Sequence, residues 1–191
     1  AYTATFTPAA DFTGVGTIAI PAGAFTDAAD NENVAGALSP SIAIDTLVPS
    51  LVIATSASTL RVGQTARITF TLTEPSTTFT AADVTVTGGT LTGFTGSGAN
   101  YSATFTPTAG FTGQGTIAVP VAKFTDAAGN DNATASLLPP IAVDTQAPFI
   151  SAFGSSTPNG SYPAGAMIDL TATVSEPIQA GGAIQVRLNT G

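Results

Sequence analysis

Acidic side chains in this chain gather in a few loops, although Asp and Glu together number only 12 of 191 residues. A loop with the letters DAADNEN begins at Asp27, and a related loop, DAAGNDN, begins at Asp126. Calcium binds about six to eight oxygen atoms from carboxylates, Asn side chains, backbone carbonyls and water, so such loops have the chemistry of a calcium site. The predicted calcium ligands are Asp27, Asp30, Asn31, Asp45, Glu74, Asp126, Asn130, Asp131, Asp144 and Glu176.

The same loops also fit a plainer interpretation. Asp, Asn and Gly are the residues that tight turns favour, because they bond to nearby backbone or adopt positive φ. The DTLVP segment from Asp45 and the DTQAP segment from Asp144 can likewise end a strand and begin a linker. Glu74 and Glu176 are equivalent residues, and the pattern places each at the end of a strand before a proline. Each is predicted to be either a calcium ligand or a solvated side chain. Calcium ligation and plain turns both stay open at these positions.

The acidic loops recur because the chain contains one segment twice. Residues 1–50 and 100–149 are identical at 29 of 50 aligned positions, and Phe6 corresponds to Phe105, an offset of 99 residues. A period of this length fits one globular domain per repeat rather than a solenoid. A proline closely follows the last strand of each copy and marks a joint. We therefore predict three parts: the C-terminal half of an Ig-like repeat at 1–44, a complete repeat at 45–144, and the N-terminal half of a related repeat of a different subtype at 145–191.

Composition excludes several kinds of function. With no Cys and no His, the chain has no thiol nucleophile, no disulfide, no Cys/His zinc site and no histidine acid–base catalyst. Four Lys and Arg against 12 Asp and Glu give a net charge of −8, which argues against binding nucleic acid or anionic membrane surfaces. No apolar run approaches the roughly 20 residues of a membrane span, so membrane insertion is not expected. Because a glycosidase cleft needs aromatic platforms and the chain has no Trp and three Tyr, we predict no enzyme.

The elements that must position these loops are strands. In residues 67–73, Ile68, Phe70 and Leu72 face one way and the intervening residues face the other. Short strands separated by Gly, Pro and Asn turns predict an all-β fold of tandem Ig-like antiparallel β-sandwiches, with no helix beyond one or two turns. The predicted core of the complete repeat is Ile68, Phe70, Leu72, Val84, Val86, Leu91, Tyr101, Phe105, Ile117, Val119, Phe124, Ile141 and Val143.

Several motifs in a fixed order carry a family resemblance. They are FTAAD at 79–83, VTVTGGTL at 84–91, YSATFTP at 101–107, FTDAAGN at 124–130 and VDTQAP at 143–148, followed by STPNGSYPAGAMIDLTATVSEP at 156–177 and VRLNTG at 186–191. Together they resemble the bacterial Ig-like tandem repeats of giant secreted surface adhesins and biofilm-associated proteins. The resemblance implies a secreted, multi-repeat stalk at the bacterial cell surface or in the extracellular matrix, commonly stiffened by calcium at the domain joints.

Two functional hypotheses follow. The first is a structural stalk segment of a bacterial cell-surface adhesin or matrix protein, rigidified by calcium at its joints. Its partners are neighbouring repeats of the same polypeptide or other copies of the chain, and any host-surface or matrix ligand binds elsewhere in the full-length protein. The alternative is a subunit of an extracellular filament or surface layer that polymerises by β-strand complementation, in which residues 145–191 of one copy pair with residues 1–44 of the next. A third function, carbohydrate binding, is not supported, because the chain lacks the aromatic platform that such a module needs.

Overall fold

The chain is all-β, as predicted. The computed structural model describes residues 1–186, and the last five residues of the predicted third segment, which hold most of the VRLNTG motif, lie outside the described residues. Within the described part, the helical structure is a single 3₁₀ turn at Ala81–Asp83. The strands are β1 (Thr13–Gly16), β2 (Ala19–Ile20), β3 (Gly36–Ala37), β4 (Ile42–Asp45), β5 (Leu51–Thr55), β6 (Thr59–Arg61), β7 (Ala66–Ser76), β8 (Thr85–Thr87), β9 (Gly89–Pro107), β10 (Thr112–Val119), β11 (Ala135–Ser136), β12 (Ile141–Asp144), β13 (Ile150–Ser155) and β14 (Leu170–Val174).

Two compact units make up the chain: the first is Ala1–Thr145, and the second begins at Gln146. The first unit contains a central sandwich, built from β5 to β12, and a first segment that carries β1 to β4. The second unit carries β13 and β14. The predicted boundary between residues 44 and 45, and the assignment of the outer parts to half-repeats, stay predictions.

One sheet of the central sandwich contains β5, β7 and β9 in that order, all antiparallel; we call it the three-stranded sheet. Its register places Ile53 opposite Phe70, and Phe70 opposite Tyr101. Along β7 the side chains of Ile68, Phe70 and Leu72 are buried, and the residues between them are more exposed. The period of two in the sequence therefore describes this strand correctly.

The other sheet contains β6, β8, β10, β11 and β12, and we call it the five-stranded sheet. The first half of β10 pairs with β12, and the second half pairs with β8 and β11, all antiparallel. On the other side of β12, β6 adds in parallel orientation. The C-terminal half of the repeat thus supplies β10, β11 and β12 of this sheet, whereas both halves contribute to the three-stranded sheet, because β9 extends to Pro107.

The core lies between the two sheets and confirms most of the predicted list. Ten of the thirteen predicted residues are buried, and Val84, Val86 and Leu91 are half-buried against them. Fully burying a large apolar side chain stabilises a fold by about 1.5–3 kcal/mol, so these residues dominate the stability of the sandwich. The buried core residues that are absent from the predicted list are Leu51, Ile53, Leu60, Ala66, Phe79, Ala103 and Leu137.

Phe79 lies at the centre of an aromatic cluster in this core. Its ring centroid is 5.6 Å from that of Phe70, 5.0 Å from that of Tyr101 and 4.9 Å from that of Phe124. The first two contacts are edge-to-face, the arrangement that aromatic pairs prefer. Because Phe124 comes from the C-terminal half of the repeat, Phe79 joins the two halves.

The first segment repeats the pairing of the five-stranded sheet. Thr13 of β1 lies opposite Asp45 of β4, as Thr112 of β10 lies opposite Asp144 of β12. The pair β2 and β3 likewise corresponds to the pairing of β10 with β11. The duplicated sequence has therefore folded into duplicated local structure.

In the second unit, β13 and β14 form an antiparallel pair with an irregularity after Ile150. The pair corresponds to β5 and β7. The Phe149 N–H donates to Ser175 Oγ at 3.0 Å, as the Ser50 N–H donates to Thr73 Oγ1 at 2.9 Å. The second unit therefore repeats the start of the central sandwich.

The prediction that Glu74 and Glu176 end their strands was wrong. β7 continues past the proline to Ser76, with a register shift against β9 between Thr71 and Ser76. β14 stops at Val174, before Glu176 is reached. A proline is tolerated within β7 because a residue at such an irregularity need not donate an N–H to the neighbouring strand.

Candidate functional site

The loop that begins at Asp126 is closed by its own side chains. Asp126 Oδ1 accepts hydrogen bonds from the backbone N–H groups of Ala128 and Asn130, at 2.8 and 2.9 Å. Asp126 Oδ2 accepts one from Asn130 Nδ2 at 2.7 Å. Gly129 has a φ of 92°, a conformation that glycine adopts without a Cβ clash. The sequence DAAGN therefore does form a tight turn, and a metal role would be additional to it.

The loop that begins at Asp27 repeats this arrangement in the first segment. Asp27 Oδ1 accepts from the N–H groups of Ala29 and Asn31, and Asp27 Oδ2 accepts from Asn31 Nδ2 at 3.0 Å. Asp30 stands where the second copy has glycine and has a φ of 65°, a left-handed conformation that Asp adopts more readily than most residues. The hydrogen bonds from Asn31, first from its side chain, lower the pKa of Asp27.

Asn132 is a buried polar residue that the sequence pattern did not single out. Its Oδ1 accepts from the N–H groups of Lys123 and Phe124, at 2.7 and 2.9 Å. Its Nδ2 donates to the carbonyls of Pro120 and Ala133, at 2.9 and 2.7 Å. The side chain thus fixes the backbone on both sides of the acidic loop. The signal available in the sequence is that the first copy also has Asn at the corresponding position.

Asp45 connects the first segment to the central sandwich. It is the last residue of β4, and its Oδ1 accepts hydrogen bonds from Thr13 Oγ1 at 2.9 Å and from the Leu47 N–H at 3.2 Å. Its backbone carbonyl accepts a hydrogen bond from Asn130 Nδ2 at 3.2 Å. The end of β4 therefore lies against the loop that begins at Asp126.

Glu74 brings a third carboxylate to this place. One carboxylate oxygen from each of Asp45, Glu74 and Asp126 lies within 4.8 Å of the other two, and we call these three residues the acidic cluster. Asp126 is buried, and Asp45 and Glu74 are half-buried. Glu74 Oε1 is buried and has no hydrogen-bond partner among the described residues. The cluster therefore contains an acceptor that the part of the chain described here leaves unsatisfied.

The acidic cluster concentrates negative charge. Burial, and then the charges of Asp45 and Asp126, raise the pKa of Glu74, and no basic side chain of residues 1–186 contributes to that shift. Burial also raises the pKa of Asp126, but the hydrogen bonds donated by Asn130 and the neighbouring backbone outweigh it and lower the pKa. Like charges held this close are unfavourable unless a cation or a proton neutralises them.

The predicted ligands outside the acidic cluster are Asp27, Asp30, Asn31, Asn130, Asp131, Asp144 and Glu176. Asn130 lies beside the cluster but contributes an N–H donor to two of its members. Asp131 is exposed and forms an isolated β-bridge with Thr125. Asp144 Oδ1 accepts from a threonine hydroxyl of β10 at 3.0 Å, as Asp45 does from β1. Glu176 in the second unit has a buried Oε1 without a hydrogen-bond partner among the described residues.

The residues of the acidic cluster fit a calcium ion. Two oxygens bound to one calcium ion at about 2.3–2.6 Å lie no more than about 5 Å apart, and the three carboxylates meet that limit. Asp and Glu oxygens are the hard ligands that calcium prefers, with backbone carbonyls and water completing its shell. The buried, unpartnered Glu74 Oε1 is an acceptor that a cation would satisfy. A bound ion would supply charge neutralisation at this place.

Comparison with known families identifies the domain. A family model for the bacterial Ig-like domain matches residues 45–143. The chain belongs to this family. Ig-like domains of this kind are non-catalytic structural modules, and Asp45 of the acidic cluster is the first residue of the matched Ig-like domain.

The resemblance to bacterial Ig-like repeats is confirmed at the level of the domain family. The adhesin and biofilm context of that resemblance stays a prediction. Comparison with curated proteins and with solved structures gave no match for this Ig-like chain. Among residues 1–186, no helix is long and apolar enough to span a membrane.

Proposed function

We propose that this bacterial Ig-like chain is a spacer segment of a secreted protein at the bacterial cell surface or in the surrounding matrix, stiffened by calcium at the acidic cluster. The observation that carries the proposal is the origin of the three carboxylates. They come from the end of β4, from β7 and from the loop after β10. An ion held by all three would tie the first segment to the central sandwich.

The duplicated structure supports a spacer role. Thr46 Oγ1 accepts from the Phe12 N–H and donates to the Ala9 carbonyl, and its counterpart Thr145 bonds the same way one repeat later. Hydrogen bonds repeated at a fixed offset give each copy the same local geometry at its C-terminal end. A protein that repeats such units spans distance without adding new chemistry. Its partners would be neighbouring repeats, and adhesive ligands would bind elsewhere in the full-length protein.

Calcium would increase the stiffness of the joint between the first segment and the central sandwich. Without an ion, the three carboxylates repel one another. Among residues 1–186, the hydrogen bond that joins strands β5 to β12 and their loops to Asp45 is the one from Asn130. With an ion, the repulsion becomes attraction through a shared cation. Extracellular calcium modules bind with dissociation constants of about 10⁻⁴–10⁻³ M, and we expect this range because the site is partly open to water.

Thermal unfolding in calcium and in chelator tests the proposal, with titration calorimetry as the direct measure of binding. Calcium at a hundredfold excess over its dissociation constant should stabilise the folded chain by about 2.7 kcal/mol. Glu74→Gln should remove the heat of binding and the shift in melting temperature. Asp131→Asn, which removes one nearby charge outside the acidic cluster, should retain both.

An unchanged melting temperature and no binding heat in the unsubstituted chain would reject calcium while leaving the spacer role open. The spacer role itself predicts an extended full-length protein in which repeats follow one another without catalytic domains between them. Small-angle scattering of longer fragments should show a maximum dimension that grows in proportion to the number of repeats. A maximum dimension that does not grow as repeats are added would contradict the spacer role.

A filament or surface-layer subunit is the second candidate, and one observation favours it. Large apolar side chains are exposed both on the first segment, as at Phe25, and on β13, as at Phe153. Two such faces could cover each other between copies, in a head-to-tail contact that does not close. Sedimentation over a concentration series tests this, because a polymerising subunit grows with concentration whereas a spacer segment stays monomeric.

A further inference from the structure

One loop of the second unit contains an asparagine that is followed directly by a glycine. The loop lies between β13 and β14, and the dipeptide is Asn159–Gly160. Of the seven asparagines in the sequence, Asn159 alone precedes a glycine. The other asparagines are Asn31, Asn33, Asn100, Asn130, Asn132 and Asn189. Asparagine is a chemically labile residue type, because the next backbone nitrogen can attack its side-chain carbonyl carbon.

The loop is anchored on both sides of this dipeptide. On one side, Thr157 Oγ1 accepts a hydrogen bond from the Asp169 N–H at 2.9 Å. On the other side, the Tyr162 hydroxyl donates a hydrogen bond to the Pro158 carbonyl. These contacts fix the two ends of the segment 158–162 relative to each other.

The dipeptide itself is exposed and unrestrained. Among residues 1–186, no hydrogen bond involves Asn159 or Gly160. An exposed side chain without hydrogen bonds keeps its rotamer freedom, and an exposed loop backbone opens at little cost in free energy. Attack within a chain requires the two reacting atoms to approach to about 3–3.5 Å in the correct alignment, and this freedom permits that approach.

The asparagines of the central sandwich are restrained by comparison. Asn130 Nδ2 donates to Asp126 Oδ2 at 2.7 Å. Asn132 is fully buried, and both of its side-chain polar atoms form hydrogen bonds. Asn100 lies within β9, and the residue after it is Tyr101, which has a bulky side chain. The chain therefore contains its own comparison between a free asparagine and restrained ones.

We propose that Asn159 is a site of spontaneous deamidation through a cyclic imide. The deprotonated backbone nitrogen of Gly160 attacks Cγ of Asn159, a new C–N bond forms, and the side-chain nitrogen leaves as ammonia. Water then adds to one of the two carbonyl carbons of the resulting succinimide. Opening one C–N bond gives aspartate, and opening the other gives isoaspartate, in which the backbone runs through the side-chain carbon. The reaction consumes one water, releases one ammonia and involves no oxidation or reduction.

Gly160 favours this attack, although the local fold does not require a glycine there. Its φ is not positive, and a Cβ built on it would lie 3.8 Å from the nearest atoms of Tyr162, an ordinary contact. The attack does depend on the missing side chain, because a Cβ on the residue that supplies the nitrogen crowds the approach to Cγ. Reactivity and folding can therefore be separated by substitution at this position.

The modification would change the loop and leave the strands in place. It adds one carboxylate to a chain of net charge −8, and isoaspartate also adds one methylene to the backbone of the loop. The hydrogen bond between Thr157 and Asp169 lies outside the altered peptide, so β13 and β14 should stay paired. The inference rests neither on the spacer role nor on calcium, because the loop lies outside the acidic cluster.

The test incubates the whole chain in mildly alkaline buffer and follows each asparagine by peptide mapping with mass spectrometry. Asn159 should deamidate at least about tenfold faster than the other asparagines of residues 1–186, and isoaspartate should be among its products. Gly160→Ala should slow the reaction at least about tenfold while the circular dichroism spectrum stays unchanged. Ser161→Ala is the matched control, because it alters the next side chain without crowding the attacking nitrogen, and should leave the rate unchanged.

Repeating the incubation in urea tests the structural part of the proposal. Asn159 should react within about threefold of its rate in the folded chain, because the folded loop does not restrain it, whereas Asn132 should react faster once unfolded. A larger rise for Asn159 on unfolding would show that the folded loop protects it and would overturn the proposal.

Two further results would contradict the proposal. The first is a rate at Asn159 that is no higher than that at Asn100, or that is equal in Gly160→Ala and in the unsubstituted chain. The second is aspartate at Asn159 without isoaspartate, because direct hydrolysis of the side chain gives aspartate alone and needs no attack by Gly160.

Discussion

Asn130 donates a hydrogen bond from its Nδ2 to the backbone carbonyl of Asp45, 3.2 Å away, across 85 residues of sequence. The same Nδ2 donates to Asp126 Oδ2 at 2.7 Å. One amide thus fixes the end of β4 beside a loop of the central sandwich without any ion. The geometry of this joint comes from hydrogen bonds and its unbalanced charge from carboxylates, so the two can be changed separately.

Glu74→Gln should make the folded chain more stable in chelator at neutral pH. The substitution removes one of three mutually repelling charges and keeps the shape of the side chain. For partly exposed charges such a gain is a few tenths to about 1 kcal/mol. Urea unfolding in chelator measures it. A loss of stability of similar size would mean that the Glu74 carboxylate has a stabilising partner and that the cluster is not short of a cation.

The raised pKa of Glu74 also predicts a pH dependence. Just above the ordinary value of 4.5, the folded chain holds more protons on Glu74 than the unfolded chain does, so the free energy of unfolding falls as pH rises through the interval up to the raised pKa. Asp126 acts in the opposite sense: its lowered pKa gives stability that is present above 3.8 and is lost as pH falls through the folded value. Between pH 4.5 and the raised pKa of Glu74, the free energy of unfolding measured in chelator should fall as pH rises. The Glu74→Gln variant should lack this fall.

Asp126→Ala and Asp27→Ala separate the turn from the acidic cluster. Both substitutions remove the same three hydrogen bonds from equivalent loops, but Asp126 alone belongs to the cluster. Asp126→Ala should cost about 1–3 kcal/mol in chelator, because it leaves part-buried donors unpaired. It should also remove calcium binding.

Asp27 is exposed, so Asp27→Ala should change stability by no more than about 0.5 kcal/mol. Calorimetry should show that calcium binding is retained. Equal effects of Asp27→Ala and Asp126→Ala on the calcium response would place the ion in the turn itself rather than between the three carboxylates.

The sequence predicted the fold well where one physical signal dominated. Alternation identified Ile68, Phe70 and Leu72 as one buried face because β7 is regular there. The fixed offset identified equivalent positions, and the duplicated hydrogen bonds of Asp27 and Asp126 follow from it. Phe79 was missed because it lies outside any strand, in the segment before the 3₁₀ turn, where neither strand nor helix periodicity applies.

The candidate site was less predictable for a different reason. Asp45, Glu74 and Asp126 lie far apart in sequence, and which carboxylates meet depends on how β4, β7 and the acidic loop are placed in space. The register shift after Thr71 determines where Glu74 lies, and no periodic pattern in the sequence predicts such a shift. Residue type and position in loops or at strand ends therefore selected ten ligands, of which the structure brings three carboxylates together.

Asn132→Ala should be among the most damaging single substitutions in the central sandwich. It leaves two backbone N–H groups and two carbonyls without their side-chain partner. Since each unsatisfied buried group costs about 1–3 kcal/mol, we expect a loss of at least about 3 kcal/mol in urea unfolding. Asn33→Ala removes three equivalent bonds from the more exposed first copy, where water can replace them, and should cost less than about 1 kcal/mol. Similar losses at both positions would mean that burial does not set the cost.

Asp45→Asn should weaken calcium binding while leaving the joint otherwise intact. The amide oxygen can still accept from Thr13 Oγ1 and from the Leu47 N–H, and the backbone carbonyl that receives the Asn130 hydrogen bond is unchanged. The number of carboxylate charges tunes calcium affinity, so the dissociation constant should rise at least about tenfold. Asp144→Asn is the matched control, because Asp144 bonds to Thr112 as Asp45 bonds to Thr13 but lies outside the acidic cluster. Calorimetry on both variants distinguishes the two positions. Unaltered affinity in Asp45→Asn, or an equal loss in Asp144→Asn, would show that the charge at the end of β4 does not bind the ion.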